Sequence, residues 1–84
     1  MKELKNELER LQEELKNVHL SKDRVLEIKK ETLVIAKKID SSSKVSNLVG
    51  TIKELYRAET KYPKRRVNKA VSILLDYISS KEVG

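Results

Sequence analysis

Leu4-Lys5-Asn6-Glu7-Leu8-Glu9-Arg10-Leu11-Gln12-Glu13-Glu14-Leu15 decides the fold class, because its leucines recur at alternating spacings of four and three. With Met1 before it and Val18 after it, the stretch is a heptad seam. Met1, Leu8 and Leu15 take one core position; Leu4, Leu11 and Val18 take the other. The residues between them are Glu, Lys, Arg, Asn and Gln, with pairs such as Lys5–Glu9, Arg10–Glu14 and Glu13–Lys16 at helical spacing. This pattern predicts a helix over about residues 2–18. The seam is too short to hold a two-stranded coiled coil by itself. Its apolar stripe must therefore pack elsewhere, either in the chain's own core or as an interface of Leu4, Leu8, Leu11, Leu15 and Val18 with a partner or a second copy.

Downstream the same rhythm repeats with punctuation. Ser21 is an N-cap candidate and Asp23 suits the first turn of a second helix, about 22–40. Val25, Ile28, Thr32, Ile35 and Ile39 carry its stripe, widened by Leu26, Leu33 and Ala36. The short Val18–Lys22 connection folds it back antiparallel on the first helix. Asp40-Ser41-Ser42-Ser43 then breaks the pattern, and a serine there is expected to cap the next helix. A third helix, about 44–61, presents Val45, Leu48, Val49, Ile52, Leu55 and Tyr56 on one face. It ends before Pro63, since a residue preceding proline avoids helical geometry. Gly50 inside it costs about 1 kcal/mol relative to Ala, which a close helix crossing would justify. The fourth helix, about 64–80, carries Val67, Val71, Leu74 and Ile78, broadened by Ala70, Ile73, Leu75 and Tyr77. It is the most apolar of the four and is expected at the centre, with residues 79–84 fraying.

Composition agrees with this reading. Eighty-four residues make one small domain, 1–84, with 38% hydrophobic and 38% charged residues. Three tyrosines are the whole aromatic complement, so the core rests on Leu, Ile and Val. The expected architecture is all-α: a small four-helix domain built from two antiparallel helical hairpins. The first helix's seam and the fourth helix's broad stripe offer more apolar surface than so small a bundle buries, so completion by homodimerisation is expected. There is no cysteine, no signal-peptide pattern and no long apolar run, which points to a cytoplasmic protein without membrane insertion.

Charge is distributed unevenly. Residues 1–43 hold ten Lys/Arg and nine Asp/Glu; residues 44–84 hold nine and four, so the second half carries most of the net +6. The excess peaks in Lys61-Tyr62-Pro63-Lys64-Arg65-Arg66-Val67-Asn68-Lys69, which contains no acid. Pro63 suits the first turn of a helix, where its missing N–H costs nothing. Lys64, Arg65 and Arg66 then fall at the positive end of the helix dipole, where cations are disfavoured. A basic cluster that local structure opposes calls for an external anion. Arg57, Lys61, Lys64, Arg65, Arg66 and Lys69 are expected on one rim as phosphate contacts, with Tyr62 stacking or touching phosphate. The bland alternatives are a solvated face or a clasp for the acids of the first helix.

Two motif comparisons bear on function. The hairpin with Val25-Leu26-Glu27-Ile28 resembles the small sporulation phosphatases that act on aspartyl-phosphate response regulators. Of that family's Ser-Gln-Glu-Leu-Asp motif, Lys29-Lys30-Glu31-Thr32-Leu33 matches only Glu31, so no catalytic residue carries over. Ile35-Ala36-Lys37-Lys38-Ile39-Asp40, the turn after it, and Val45-Ser46-Asn47-Leu48-Val49 are similar to a helix-turn-helix, with Ala36 at the helix contact and Ser46 and Asn47 within reach of base edges. The turn lacks the usual glycine, and Ser46 occupies a position that is ordinarily apolar.

Catalytic and metal chemistry have no footing. His19 is the only histidine and sits in an expected turn; the acids of the first helix are interspersed with lysines on a polar face. The expectation is a non-enzymatic regulatory protein without cofactor or metal that binds nucleic acid, DNA before RNA because stacking aromatics are few. The competing reading is an adaptor or inhibitor whose amphipathic helix docks a partner protein, with an acidic partner suiting the basic elbow.

Overall fold

The computed structural model describes residues 2–43, 46–58 and 63–83, with the side chains of 82 and 83 left aside. They form four helices: α1 (Lys2–Leu15), α2 (Lys22–Ser42), α3 (Leu48–Arg57) and α4 (Pro63–Val83). No strand occurs among them. Among the described residues no helix is long and apolar enough to cross a membrane.

The bundle centres on α2 and α4 together. Each packs on the other three helices, whereas α1 and α3 flank the pair without close approach of their backbones. Helix α1 leans chiefly on α4, and α3 chiefly on α2. The chain-adjacent helices meet near their joined ends, but the closer packing runs across the expected hairpins, α1 on α4 and α2 on α3. Arg24 at the start of α2 meets Glu14 at the end of α1, and Tyr56 late in α3 shares a small concavity with Pro63 and Arg66 early in α4. Sequence alone expects α4 to be the single central helix; α2 shares that role because its buried stripe of Val25, Ile28, Thr32, Ile35, Ala36 and Ile39 is as long.

All of the seam's central leucines serve the chain's own core. Leu8, Leu11 and Leu15 are buried with Val25, Ile28, Ile35, Ala36, Ile39, Leu48, Ile52, Val67, Ala70, Val71, Leu74 and Ile78, and Leu4 packs against them half-buried. Burying a leucine contributes about 1.5–3 kcal/mol, so α1 is a structural member of the fold. Of the two stripes expected to need a second copy, Leu8, Leu11, Leu15, Val67, Val71, Leu74 and Ile78 are buried within the chain, and Leu4, Ile73, Leu75 and Tyr77 are partly buried. Val18 differs from its seam neighbours: it is 82% exposed and lies beyond the end of α1.

Helix ends depart from the sequence expectation for local reasons. Helix α1 stops at Leu15 because Asn17 turns the chain, its Oδ1 accepting the His19 N–H at 2.9 Å. Ser21 caps α2 as expected, its Oγ accepting the Arg24 N–H at 3.1 Å. The serines after Asp40 extend α2 instead of breaking it. Ser41 Oγ donates to the Lys37 carbonyl at 2.9 Å and Ser42 Oγ to the Ile39 carbonyl at 3.0 Å. Val45 lies outside the described residues. Helix α4 does not fray after residue 80 but continues to Val83; Lys81 in its last turn complements the dipole and stands 5.5 Å from the Tyr77 ring centroid.

Polar contacts lock the helices in register. Thr32 is fully buried yet satisfied: its hydroxyl donates to the Lys29 carbonyl at 2.6 Å and, having one proton, accepts from Tyr56 at 2.6 Å. Tyr77 donates to Ser43 Oγ at 3.1 Å, tying the far part of α4 to the end of α2.

Candidate nucleic-acid interface

Helix α4 begins at Pro63, so Lys64, Arg65 and Arg66 occupy its first turn and Lys69 the next. Their side chains diverge. Lys64 Nζ donates to the Asn17 carbonyl at 2.7 Å, crossing to the turn after α1. The last turn of α1 holds no basic residue, so Lys64 supplies from another helix the cation that its carbonyl end favours. Lys64 and Arg65 line a groove with Leu15 and Asn68. Arg66, half-buried, faces the other way into a small hollow shared with Lys29, Tyr56 and Pro63. Lys29 Nζ stands 5.1 Å from the Tyr56 ring centroid. Burial pushes the Tyr56 phenol up to about 12, so its hydroxyl stays protonated and committed to Thr32.

The single rim expected of the basic residues is therefore divided. Lys64 and Arg65 share one groove, and Arg66 borders another hollow with Lys29. Lys69 is exposed one turn beyond Arg65. Arg57 ends α3 and pairs with its own neighbour Glu54 at 3.7 Å, both well exposed. Lys61 and Tyr62 lie outside the described residues. Lys29 and Asn17 were not legible as members of this site, since both reach it from other helices or turns. Asn68 was within reach of inference, standing at i+4 from Lys64 and i+3 from Arg65.

The α4 cations are not a clasp for the acids of α1. Glu14, expected to pair with Arg10, instead accepts two hydrogen bonds from Arg24, Nε–Oε1 at 2.7 Å and Nη2–Oε2 at 2.8 Å. These bonds hold the Glu14 carboxyl below the ordinary glutamate range and push the Arg24 guanidinium still higher, with Glu27 assisting. Glu13 pairs with Lys16 at 3.4 Å, as the spacing predicts. Among the described residues, Arg65, Arg66 and Lys69 meet no carboxylate within ion-pair distance.

The residues that resemble a helix-turn-helix are spent on capping. Asp40 accepts from Ser46 Oγ at 2.7 Å and from the backbone N–H of Leu48 and Val49 at 2.9 Å each. Asn47 is the N-cap of α3, and its Oδ1 accepts the Gly50 N–H at 3.3 Å. A Cβ on Gly50 would lie 2.7 Å from the Asn47 side-chain amide. The glycine thus makes room for a cap, not for a helix crossing. Ala36 is fully buried in the core.

Comparison with known proteins finds no matching family model, no matching curated protein and no matching solved structure.

Proposed function

We propose that this chain is a small non-enzymatic, regulatory nucleic-acid-binding protein whose α4 cations grip the phosphate backbone, with DNA favoured over RNA. The observation that carries this reading is the state of Arg65, Arg66 and Lys69. Arg65 and Arg66 sit in the first turn of α4, where the dipole repels cations, Lys69 follows in the next turn, and no described carboxylate neutralises them. An external polyanion supplies the missing charge, and guanidinium groups suit phosphate because they bind it in a bidentate way. With Ser46 and Asn47 engaged in caps, the reading rests on backbone contact and not on base readout by α3.

The test is a salt titration of duplex-DNA binding for the parent and for Arg65→Ala/Arg66→Ala/Lys69→Ala. Weaker binding is expected, with the log–log salt slope reduced by about 0.9 for each phosphate no longer gripped. Unchanged affinity and slope would remove this reading.

A further inference from the structure

The groove beside α4 has more shape than backbone contact alone requires. It is an open groove of about 550 Å³, between the end of α1 and the first two turns of α4. That volume falls within the roughly 300–1,000 Å³ usual for small-molecule sites. Leu15, nearly buried, lies at the floor of the groove. Lys64, Arg65 and Asn68 share one face of α4 and form the polar side. Lys64 is fixed by its bond to the Asn17 carbonyl and keeps two further donors for an anion. Arg65 and Asn68 are exposed, and no hydrogen bond or ion pair to another described residue engages their side chains.

A duplex presents its phosphates on a convex surface and would touch the rim cations without entering the groove. An unpaired nucleotide carries what the lining complements: an anion for Lys64 and Arg65, a flat apolar face for their aliphatic stems, and an edge for an amide. Asn68 offers a carbonyl acceptor beside an N–H donor. The imide edge of thymine, an N–H next to a carbonyl, matches that pair. We propose that this groove binds a single unpaired nucleotide of a DNA strand, phosphate on the Lys64 and Arg65 head groups, base against their aliphatic stems, base edge on Asn68. This rests on the nucleic-acid reading above and adds a base-binding subsite to it.

The experiment compares three probes by fluorescence anisotropy: a short labelled oligothymidylate, an abasic strand of the same length, and the thymidylate strand annealed to its complement. Abasic and thymidylate strands share their phosphates and differ in the bases. The parent protein is expected to bind oligothymidylate about tenfold tighter than the abasic strand, through the Asn68 hydrogen bonds and apolar contact with the base. Asn68→Ala is expected to weaken oligothymidylate binding about fivefold while leaving the abasic strand and the duplex unchanged. Asn68 is exposed, so this variant keeps the parent's thermal melt. Equal affinity for thymidylate and abasic strands, or an Asn68→Ala variant indistinguishable from the parent, overturns the subsite. In that case salt-dependent duplex binding that disappears in Arg65→Ala/Arg66→Ala/Lys69→Ala still upholds the phosphate-binding reading. Absence of binding to any of the three probes overturns both.

Discussion

Asp40, near the end of α2, accepts the backbone N–H of Val49 in the first turn of α3 at 2.9 Å, and with it the N–H of Leu48. One carboxylate thus satisfies two of the four donors that a helix start leaves open, and it sits at the favourable end of the α3 dipole. Its partial burial would raise its pKa, but the bonds from Val49, Ser46 and Leu48 outweigh this and hold it below the ordinary aspartate range.

That direction fixes a pH dependence. A carboxyl whose folded pKa is depressed contributes stability that is full above its unfolded pKa and lost as pH falls through the folded one. Glu14 shifts the same way. Thermal stability is expected to fall as pH drops from about 5 towards 2, and Asp40→Asn to flatten part of that fall. At neutral pH, Asp40→Ala is expected to cost about 2 kcal/mol, through the missing cap and charge-assisted bonds. Melts of both variants across this pH range check it; an Asp40→Asn profile parallel to the parent's would contradict the assignment.

Gly50 and Asn47 are coupled by space as well as by a hydrogen bond. Replacing an exposed helical glycine by alanine ordinarily gains about 1 kcal/mol. Here the new methyl would meet the capping amide at 2.7 Å. Gly50→Ala alone is therefore expected to bring no gain. In an Asn47→Ser background, whose shorter cap leaves the methyl free, the same change is expected to stabilise by roughly 0.5–1 kcal/mol. Additive effects in the double-mutant cycle would show that the cap is not displaced.

Tyr56 gives a spectroscopic handle on the polar contact between α2 and α3. Its phenol, pushed up to about 12 by burial, is favoured in the protonated form. Its contribution to stability is accordingly present below the ordinary tyrosine pKa and lost as pH rises towards 12. Absorbance titration should show a late phenolate step that Tyr56→Phe removes. Thr32→Val should lower the stability of the fold by about 1–2 kcal/mol at neutral pH, since it leaves the Tyr56 hydroxyl without its partner.

Periodicity in the sequence was enough for the four helices, since the central residues of each stripe are buried where their spacing places them, while Val18 and Leu26 at the stripe margins are exposed. Helix ends and helix partners were less legible. Ser41 and Ser42 read as breakers, but a serine hydroxyl can also bond back to a carbonyl one turn earlier; which outcome holds depends on what α3 does beyond them. Glu14 has Arg10 at helical spacing and Arg24 across the turn. Only the fold shows that the guanidinium of Arg24 meets it in two parallel bonds. The basic site was legible as a composition but not as a geometry. Successive residues of a helix point in directions about 100° apart, so Lys64, Arg65 and Arg66 could not all face one ligand, and Lys29 joins Arg66 only through tertiary packing.

The final prediction separates the two duties of the α4 cations. Lys64 has a structural bond, to the Asn17 carbonyl at 2.7 Å; Arg65 has no described partner. Both carry charge that the α4 dipole disfavours by about 0.3–1 kcal/mol. Arg65→Ala is therefore expected to raise stability by a few tenths of a kcal/mol. In Lys64→Ala the same relief is offset by loss of a charge-assisted but exposed hydrogen bond worth about 1 kcal/mol, so no gain is expected. Charge repulsion alone would make the two variants equally stabilising. Denaturant melts of both at low salt decide between these outcomes. A stabilised Lys64→Ala would mean that the bond to Asn17 contributes nothing, leaving Lys64 wholly available to the anion.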